Sequence, residues 1–321
     1  MKKLLPVFAF AFVVAAVSVA PASAAYPTKP VEMTITFKPG GAADISGRTV
    51  AKAAEKVFGQ PIVAVNRPGA GGTIGFAYVK TAPNDGYKIG WLSASILTGT
   101  TMGKLPYDYR AWDYVSRLVF EGTAIVVRAD SPYKSLPELV KAAKSKTLKI
   151  GSAGSGSFTR LTASALSQKA GFKFRHVPLG KRRVPSLLGG EVDAISVHPP
   201  EVLALHKAGK VRMLAVSFPK RHPAYPKVPL FSEHGWDVGF YQFRGLHVPK
   251  GTPKEAVQAL HKAFSAAAKD PKVLATAEKR GFLVSYMGPD KFPAFVAQQN
   301  ALIKKVVVSL GLDKKKKKMK K

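Results

Sequence analysis

Apolar and polar positions along this chain alternate with two periods in turn. Residues 31–37 (VEMTITF) form a short β-branched run, after which Ile45, Val50, Ala54, Val57 and Phe58 recur at helical spacing until Gly59. Residues 61–66 (PIVAVN) read as a second strand, followed by a Gly-rich loop and a helix over about 73–81. Residues 87–94 (YKIGWLSA) supply a third strand. A second series begins near Thr123 with the strand TAIVVRA and a helix whose Ser135 and Glu138 have the spacing of a capping box. The strand LKIGS then enters a Gly/Ser loop, and a helix over 158–171 ends at Gly171. SLLGGEVDAISV and VRMLAVS read as two more strands. In GTPKEAVQALHKAFSAAAK, Thr252 is expected to cap, with Pro253 at the first helical position and 254–269 helical. Short strands alternating with amphipathic helices predict an α/β fold with parallel strands.

The first 24 residues stand apart. Lys2 and Lys3 precede a short apolar stretch broken by Pro6, and Ala22 and Ala24 provide small residues at a cleavage site. This is the pattern of a secretory signal peptide, which implies export with cleavage near Ala24. The remaining length suggests two domains, and 46% hydrophobic residues suffice for two cores. No cysteine is present, which excludes disulfides and thiolate metal sites.

Charge changes the picture further. The formal net charge is +31, part of it in a lysine block over 314–321. Such a charge attracts anions in general, so a basic exported protein holding polyanions through its surface and tail is one reading. No zinc-finger spacing or aromatic-interleaved basic strand supports specific nucleic-acid readout. Enzyme signatures are missing as well. The seven histidines show no metal spacing, no Gly-x-Ser-x-Gly elbow occurs, and no cofactor is called for.

Two loops carry the candidate chemistry. FKPGGAADISGR (37–48) lies between a strand and a helix, a layout that aims unpaired backbone N–H groups and a helix dipole at an anion. It lacks the lysine and hydroxyl of a nucleotide-binding P-loop, so a carboxylate suits it better. Gly40, Gly41 and Ala42 are the expected donors, while Asp44 is expected to accept from backbone N–H groups of the first turn. The Gly/Ser loop over 151–157 repeats this design in the other half of the chain. There Gly154, Ser155, Gly156, Ser157 and Thr159 are the candidates. Ser93, Ser95 and Thr98 are further candidate hydroxyls. NRPGAGG (66–72) either joins the cleft or only shapes its own lobe.

The successive pieces YPTKPVEMTITFKPGGAADISGR, GQPIVAVNRPGAGGTIG, NDGY, KLPYD, LKIGSAGSGS, LLGGEVD and PKGTPKEAV resemble the substrate-binding proteins of tripartite tricarboxylate transporters, the Bug/TctC type. Each piece is weak alone, but seven in order, from Tyr26 to about Val306, make a specific pattern. The resemblance implies a periplasmic, two-lobed α/β binding protein (type II-like), each lobe a mostly parallel sheet flanked by helices, with the ligand cleft between them. It implies no catalysis, a small carboxylate as ligand, and membrane transporter components as partners of a monomer. Lobe 1 is expected over 25–125 plus 236–305, lobe 2 over 126–235, and the C-terminal end from 306. Phe37 joins the ligand-binding candidates on this basis, and an acid at Asp44 is implied to order the loop or a water. Members usually read VPYKG where this chain has VPLGKRRVPSLLGG, so Leu179 stands at the tyrosine position. Lys181, Arg182 and Arg183 follow it, either reaching the ligand's far end or standing as solvated surface charge, the commoner fate of such residues.

Overall fold

The computed structural model describes residues 26–313, so the signal-like segment and the lysine block lie outside the described residues. The chain begins with β1 (Val31–Ile35), α1 (Ala42–Phe58), β2 (Ile62–Asn66), α2 (Thr73–Lys80), β3 (Lys88–Ser93), α3 (Ser95–Thr101) and β4 (Trp112–Glu121). It continues with β5 (Thr123–Arg128), α4 (Leu136–Ser145), β6 (Leu148–Ser152), α5 (Phe158–Ala170), β7 (Phe174–Pro178), α6 (Arg183–Leu188), β8 (Ala194–Val197), α7 (Leu203–Lys207) and β9 (Val211–Ser217). The last elements are β10 (Gln242–Pro249), α8 (Lys254–Ala267), α9 (Pro271–Arg280), β11 (Leu283–Met287) and α10 (Phe292–Ser309).

Two sheets result, in the orders β11-β4-β10-β3-β1-β2 and β7-β6-β8-β5-β9. The expected α/β strand–helix units build their parallel halves, with β1 parallel to β2 and β3, and β6 parallel to β7 and β8. Most strands of each sheet point one way. Two of the exceptions mark where the chain passes between sheets, while β11 runs antiparallel to β4 at the sheet edge. β10 runs antiparallel to β3 and β4, and β5 antiparallel to β8 and β9. The first passage is the single residue Gly122 between β4 and β5. The return lies between β9 and β10. A strand arriving from the other lobe enters the sheet head-on, without a helical crossover to reverse it.

Helix ends follow local chemistry. Gly59 and Gly171 take the left-handed conformation expected of C-terminal stops. Ser135 Oγ accepts from Glu138 N, and Glu138 Oε2 reaches back to Lys134 N at 2.9 Å, one residue beyond the simple capping box. Two expectations are corrected. Thr252 does not cap: its Oγ1 donates to the Pro249 carbonyl, and Pro253 itself is the N-cap of α8. SLLGGEVDAISV is not one strand, because Ser186–Leu188 close α6 and only Ala194–Val197 is extended.

An apolar cluster runs across both sheets. Phe76, Leu92 and Leu97 on the first side join Leu139, Leu161 and Leu166 on the second, with Phe243, Val296 and Val307 in the same cluster. α10 runs to Ser309, past the expected start of the C-terminal end, and Gln168 of α5 donates to its last carbonyl. The lobes therefore share packing as well as two covalent passages.

Candidate functional site

A cleft of about 660 Å³ opens between the sheets at the ends of their parallel strands. That volume suits a small ligand, and the place follows from topology, since loops leaving the strand ends of both sheets meet there. Phe37, Gly41, Ala42, Ser95, Gly154, Ser155, Gly156, Ser157 and Thr159 line it. Gly40, Asp44 and Ser93 are not among the lining residues: Gly40 is exposed, and Asp44 and Ser93 are buried.

The first loop is held by Asp44. Gly40 N donates to Asp44 Oδ2 at 3.0 Å, while Arg48 Nε and Asn66 Nδ2 donate to Oδ1, each at 2.8 Å. Burial alone would raise this carboxyl, but the Gly40 N–H, the Asn66 amide and the Arg48 guanidinium outweigh it and hold the group below its ordinary range. α1 starts at Ala42, three residues before its first periodic apolar position, with Gly41 as N-cap. Gly41 N donates to the Lys38 carbonyl at 3.3 Å. Two of the three expected donors, Gly40 and Gly41, are therefore occupied within the loop. Among the described residues the N–H groups of Ala42 and Ala43 have no protein partner, so the open donors of this loop are those of the first turn of α1.

The second loop differs in detail. Ser157 caps α5 by accepting from Arg160 N, and its own N–H and hydroxyl both donate to the Gly154 carbonyl. Thr159 Oγ1 accepts from Ala153 N at 3.2 Å. Phe158 N donates across the cleft to Ser95 Oγ at 3.1 Å, and Thr98 Oγ1 donates to the Gly156 carbonyl. Ser95 and Thr98 thus hold the second loop from the other sheet. Ser93 Oγ is taken by Gln242 Nε2 at 2.7 Å.

NRPGAGG is placed by the structure. Ala70, Gly71 and Gly72 line the cleft, and Gly71 lies backbone-to-backbone against Gly156 and Ser157. With φ of 77°, and with Ser157 N only 2.9 Å from where a Cβ would sit, Gly71 admits no side chain without displacing the opposite loop.

The three cations after Leu179 separate into different roles. Arg182 is exposed and pairs with Glu191, as solvated charge. Lys181 stands at the cleft edge, and its carbonyl accepts from Lys38 Nζ at 2.8 Å, a strut between the lobes. Arg183 departs from the commoner fate. Its side chain is 7% exposed, paired with Glu201 at 2.5 Å, and lines the cleft. Burial would raise Glu201, yet the Arg183 guanidinium beside it holds it below the usual carboxylate range.

Sequence reasoning did not single out Lys38, Lys104, His198, Glu201 or Arg244, all of which line the cleft. His198 Nδ1 lies 2.8 Å from the Gly122 carbonyl, which only accepts, so Nδ1 carries the proton and neutral His198 offers Nε2 as an acceptor. Burial lowers its pKa despite Glu121 nearby. Arg244 is 1% exposed and pairs with Glu121 at 2.7 Å. The one formally charged residue in the strand-like run QFRGLHVP was the available signal for Arg244, and a position just past a strand end for His198 and Glu201. Counting side chains that line the cleft, five cations (Lys38, Lys104, Lys181, Arg183, Arg244) face one acid, Glu201. Burial lowers the pKa of Lys38, with Glu201 partly offsetting it. An anion is the ligand this lining favours. Among the described residues no three metal-ligating side chains cluster.

Comparison with known proteins agrees with this geometry. Residues 46–312 match the model of the tripartite tricarboxylate transporter family receptor. A Cupriavidus necator protein named UPF0065 protein in gbd 5'region is 32% identical over 302 residues, covering 90% of each chain. The structure of the periplasmic binding protein BugD superposes with a TM-score of 0.85 at 29% identity, covering 90% of this chain and 99% of that one. An R. palustris protein with adipate superposes with a TM-score of 0.83 at 25% identity, covering 89% and 98%.

Proposed function

The chain belongs to the tripartite tricarboxylate transporter receptor family, a family of periplasmic solute-binding proteins, and from that premise we propose that it captures a small organic carboxylate and delivers it to a membrane transporter of that type. The observation that carries the reading is the convergence of free N–H groups, at Ala42 and Ala43 from one lobe and Ser155 and Gly156 from the other, on one cationic cleft. Backbone donors fixed before the ligand arrives bind an anion with little reorganisation. Adipate in a structural relative supports the same ligand class. In this reading the lobes, 25–125 with 236–305 and 126–235, close on the ligand through Gly122 and the return passage. Export rests on the sequence of residues 1–24.

A thermal-shift screen against mono-, di- and tricarboxylates and aromatic acids tests the proposal. A ligand at a hundredfold excess over its Kd stabilises the folded state by roughly 2.7 kcal/mol. In the Gly41→Val variant the stabilisation by the best ligand is expected to vanish while the unliganded melting temperature moves little. Gly41 has an ordinary φ of −79°, and an added Cβ would meet the Lys38 carbonyl at 3.2 Å, so the new side chain disturbs the loop in front of α1 more than it strains the backbone. Unchanged ligand stabilisation in that variant removes the first loop from the site.

A further inference from the structure

Between Glu138 and Glu191 the sequence has no Asp or Glu, while Lys and Arg recur throughout. The fold gathers several of these cations at one end of the second sheet. α4 ends at Ser145 and α5 at Ala170, and the two ends meet: Lys144, Lys146 and Lys173 line one surface hollow with Ser145, Thr147 and Gln168. Lys149 and Arg175 are register partners on β6 and the edge strand β7, two exposed like charges side by side. Such a pairing costs stability. Asp193 comes to this end and accepts from Lys149 N at 2.7 Å. The ion pairs of the described residues lie elsewhere, as in Arg48–Asp44, Arg182–Glu191 and Arg221–Glu233, and include none of these cations. The pull of a helix C-terminus on cations accounts for Lys144, but not for Lys149, Lys173 and Arg175.

β6 and β7 start at this end and run towards the cleft, which residues 153–159 and 178–181 line, so the cations stand on the side of the sheet opposite the ligand. α10 ends here as well. Gln168 Nε2 donates to the Ser309 carbonyl at 3.3 Å, and in the sequence the block KKKKKMKK follows at 314–321.

We propose that this end is a docking surface for a phospholipid bilayer with anionic headgroups, and that the lysine block adds to it. The chemistry fits diffuse negative charge. Lysine ammoniums are compact point charges on flexible stems, without the fixed fork that selects one shaped anion. Each cation near an anionic membrane strengthens attachment about fivefold. A single-stranded nucleic acid calls for exposed aromatic rings on which bases stack, whereas the rings at this end, Tyr133, Phe172 and Phe174, are buried or half-buried. Docked by this end, the protein keeps its cleft turned away from the headgroups, so ligand capture and attachment are independent.

The test is cosedimentation of the protein, recovered from a bacterial periplasm, with vesicles of phosphatidylcholine alone or mixed with phosphatidylglycerol, at about 0.1 M salt. The wild type is expected to partition on to the mixed vesicles and not on to phosphatidylcholine. One variant carries Lys146→Gln, Lys149→Gln, Lys173→Gln and Arg175→Gln. A control removes the same charge around β9, at the other edge of the sheet, with Lys207→Gln, Lys210→Gln, Lys220→Gln and Lys227→Gln. All these side chains are exposed, and circular dichroism checks both folds. Partitioning is expected to fall roughly 100-fold or more in the first variant and less than about threefold in the control. Both are also made in a chain ending at Asp313, where the same contrast is expected on a weaker baseline. A first variant that partitions like the wild type, or falls no further than the control, overturns the proposal. So does a chain ending at Asp313 that no longer binds, because the lysine block then acts alone. Binding of a DNA duplex without binding of the mixed vesicles overturns it as well, and makes the surface one for nucleic acid.

Discussion

His247 shows how a single buried side chain ties this fold to pH. It is 0% exposed, its ring packs edge-on to Phe76 and Trp112, and neither ring nitrogen has a partner among the described residues. Gly90 opposite leaves it room, since a Cβ there would lie 2.0 Å from the ring. Burial pushes its pKa down from 6.5 to about 3, and burial likewise lowers His176 to about 4. Between the unfolded and folded values the unfolded chain holds more protons. The stability from neutral His247 is therefore intact above pH 6.5 and drains away as pH falls towards 3. Between pH 7.5 and 4.5 that loss is about 2–3 kcal/mol for His247. A His247→Leu variant is expected to lose that much less than the wild type over this range, read from urea midpoints. Parallel pH curves for the two proteins would show that His247 does not titrate between the states as described.

At the scale of elements, the cleft depends on loops from different lobes meeting backbone to backbone. Gly71 and Gly154 both have positive φ, and each would drive an added Cβ into the other loop's main chain. Gly71→Ala adds only one methyl. The left-handed strain costs about 1–2 kcal/mol, a melting shift of a few degrees in a protein this size. The same methyl must push Gly156 and Ser157 aside, where the free N–H groups lie. Carboxylate affinity is expected to drop at least tenfold by calorimetry, out of proportion to the stability loss. Equal affinity in wild type and variant would mean that this contact does not set the loop geometry. Asp44 works at the same scale, because it takes the Gly40 N–H for loop order, while the Ala42 and Ala43 N–H groups have no partner among the described residues.

For the whole molecule the question is which part of a +31 chain holds the anion. A surface field and a desolvated cleft respond differently to salt. Exposed charges are screened within about 10 Å at 0.1 M ionic strength, whereas partly buried donors are screened much less. Carboxylate affinity is therefore expected to fall less than about threefold between 50 and 200 mM salt. Binding of a nucleic-acid duplex through the basic surface should fall by ~10³ over the same range, because each neutralised phosphate releases counterion. A parallel steep loss for the carboxylate would place it on the surface and not between the lobes.

The sequence by itself determined the strand–helix units and their ends. Gly59 and Gly171 stop helices because a left-handed residue must follow the last turn, and Ser135 with Glu138 starts one because its first N–H groups need acceptors. These are neighbours in sequence, so local spacing suffices to read them. The same logic marked both glycine loops, the family pattern and the anion preference of the cleft. Only the tertiary structure decided which groups line the cleft with their donors open. Whether Gly40 is free depends on Asp44, whether Ser93 is free depends on Gln242, and whether Arg183 is solvated depends on Glu201. Arg244 and Glu121 lie 123 residues apart and meet only because β4 and β10 pair beside the two passages. No periodicity encodes such meetings: burial, not residue type, takes a cation from solvent into the wall of a cleft, and burial is settled when the sheets come together.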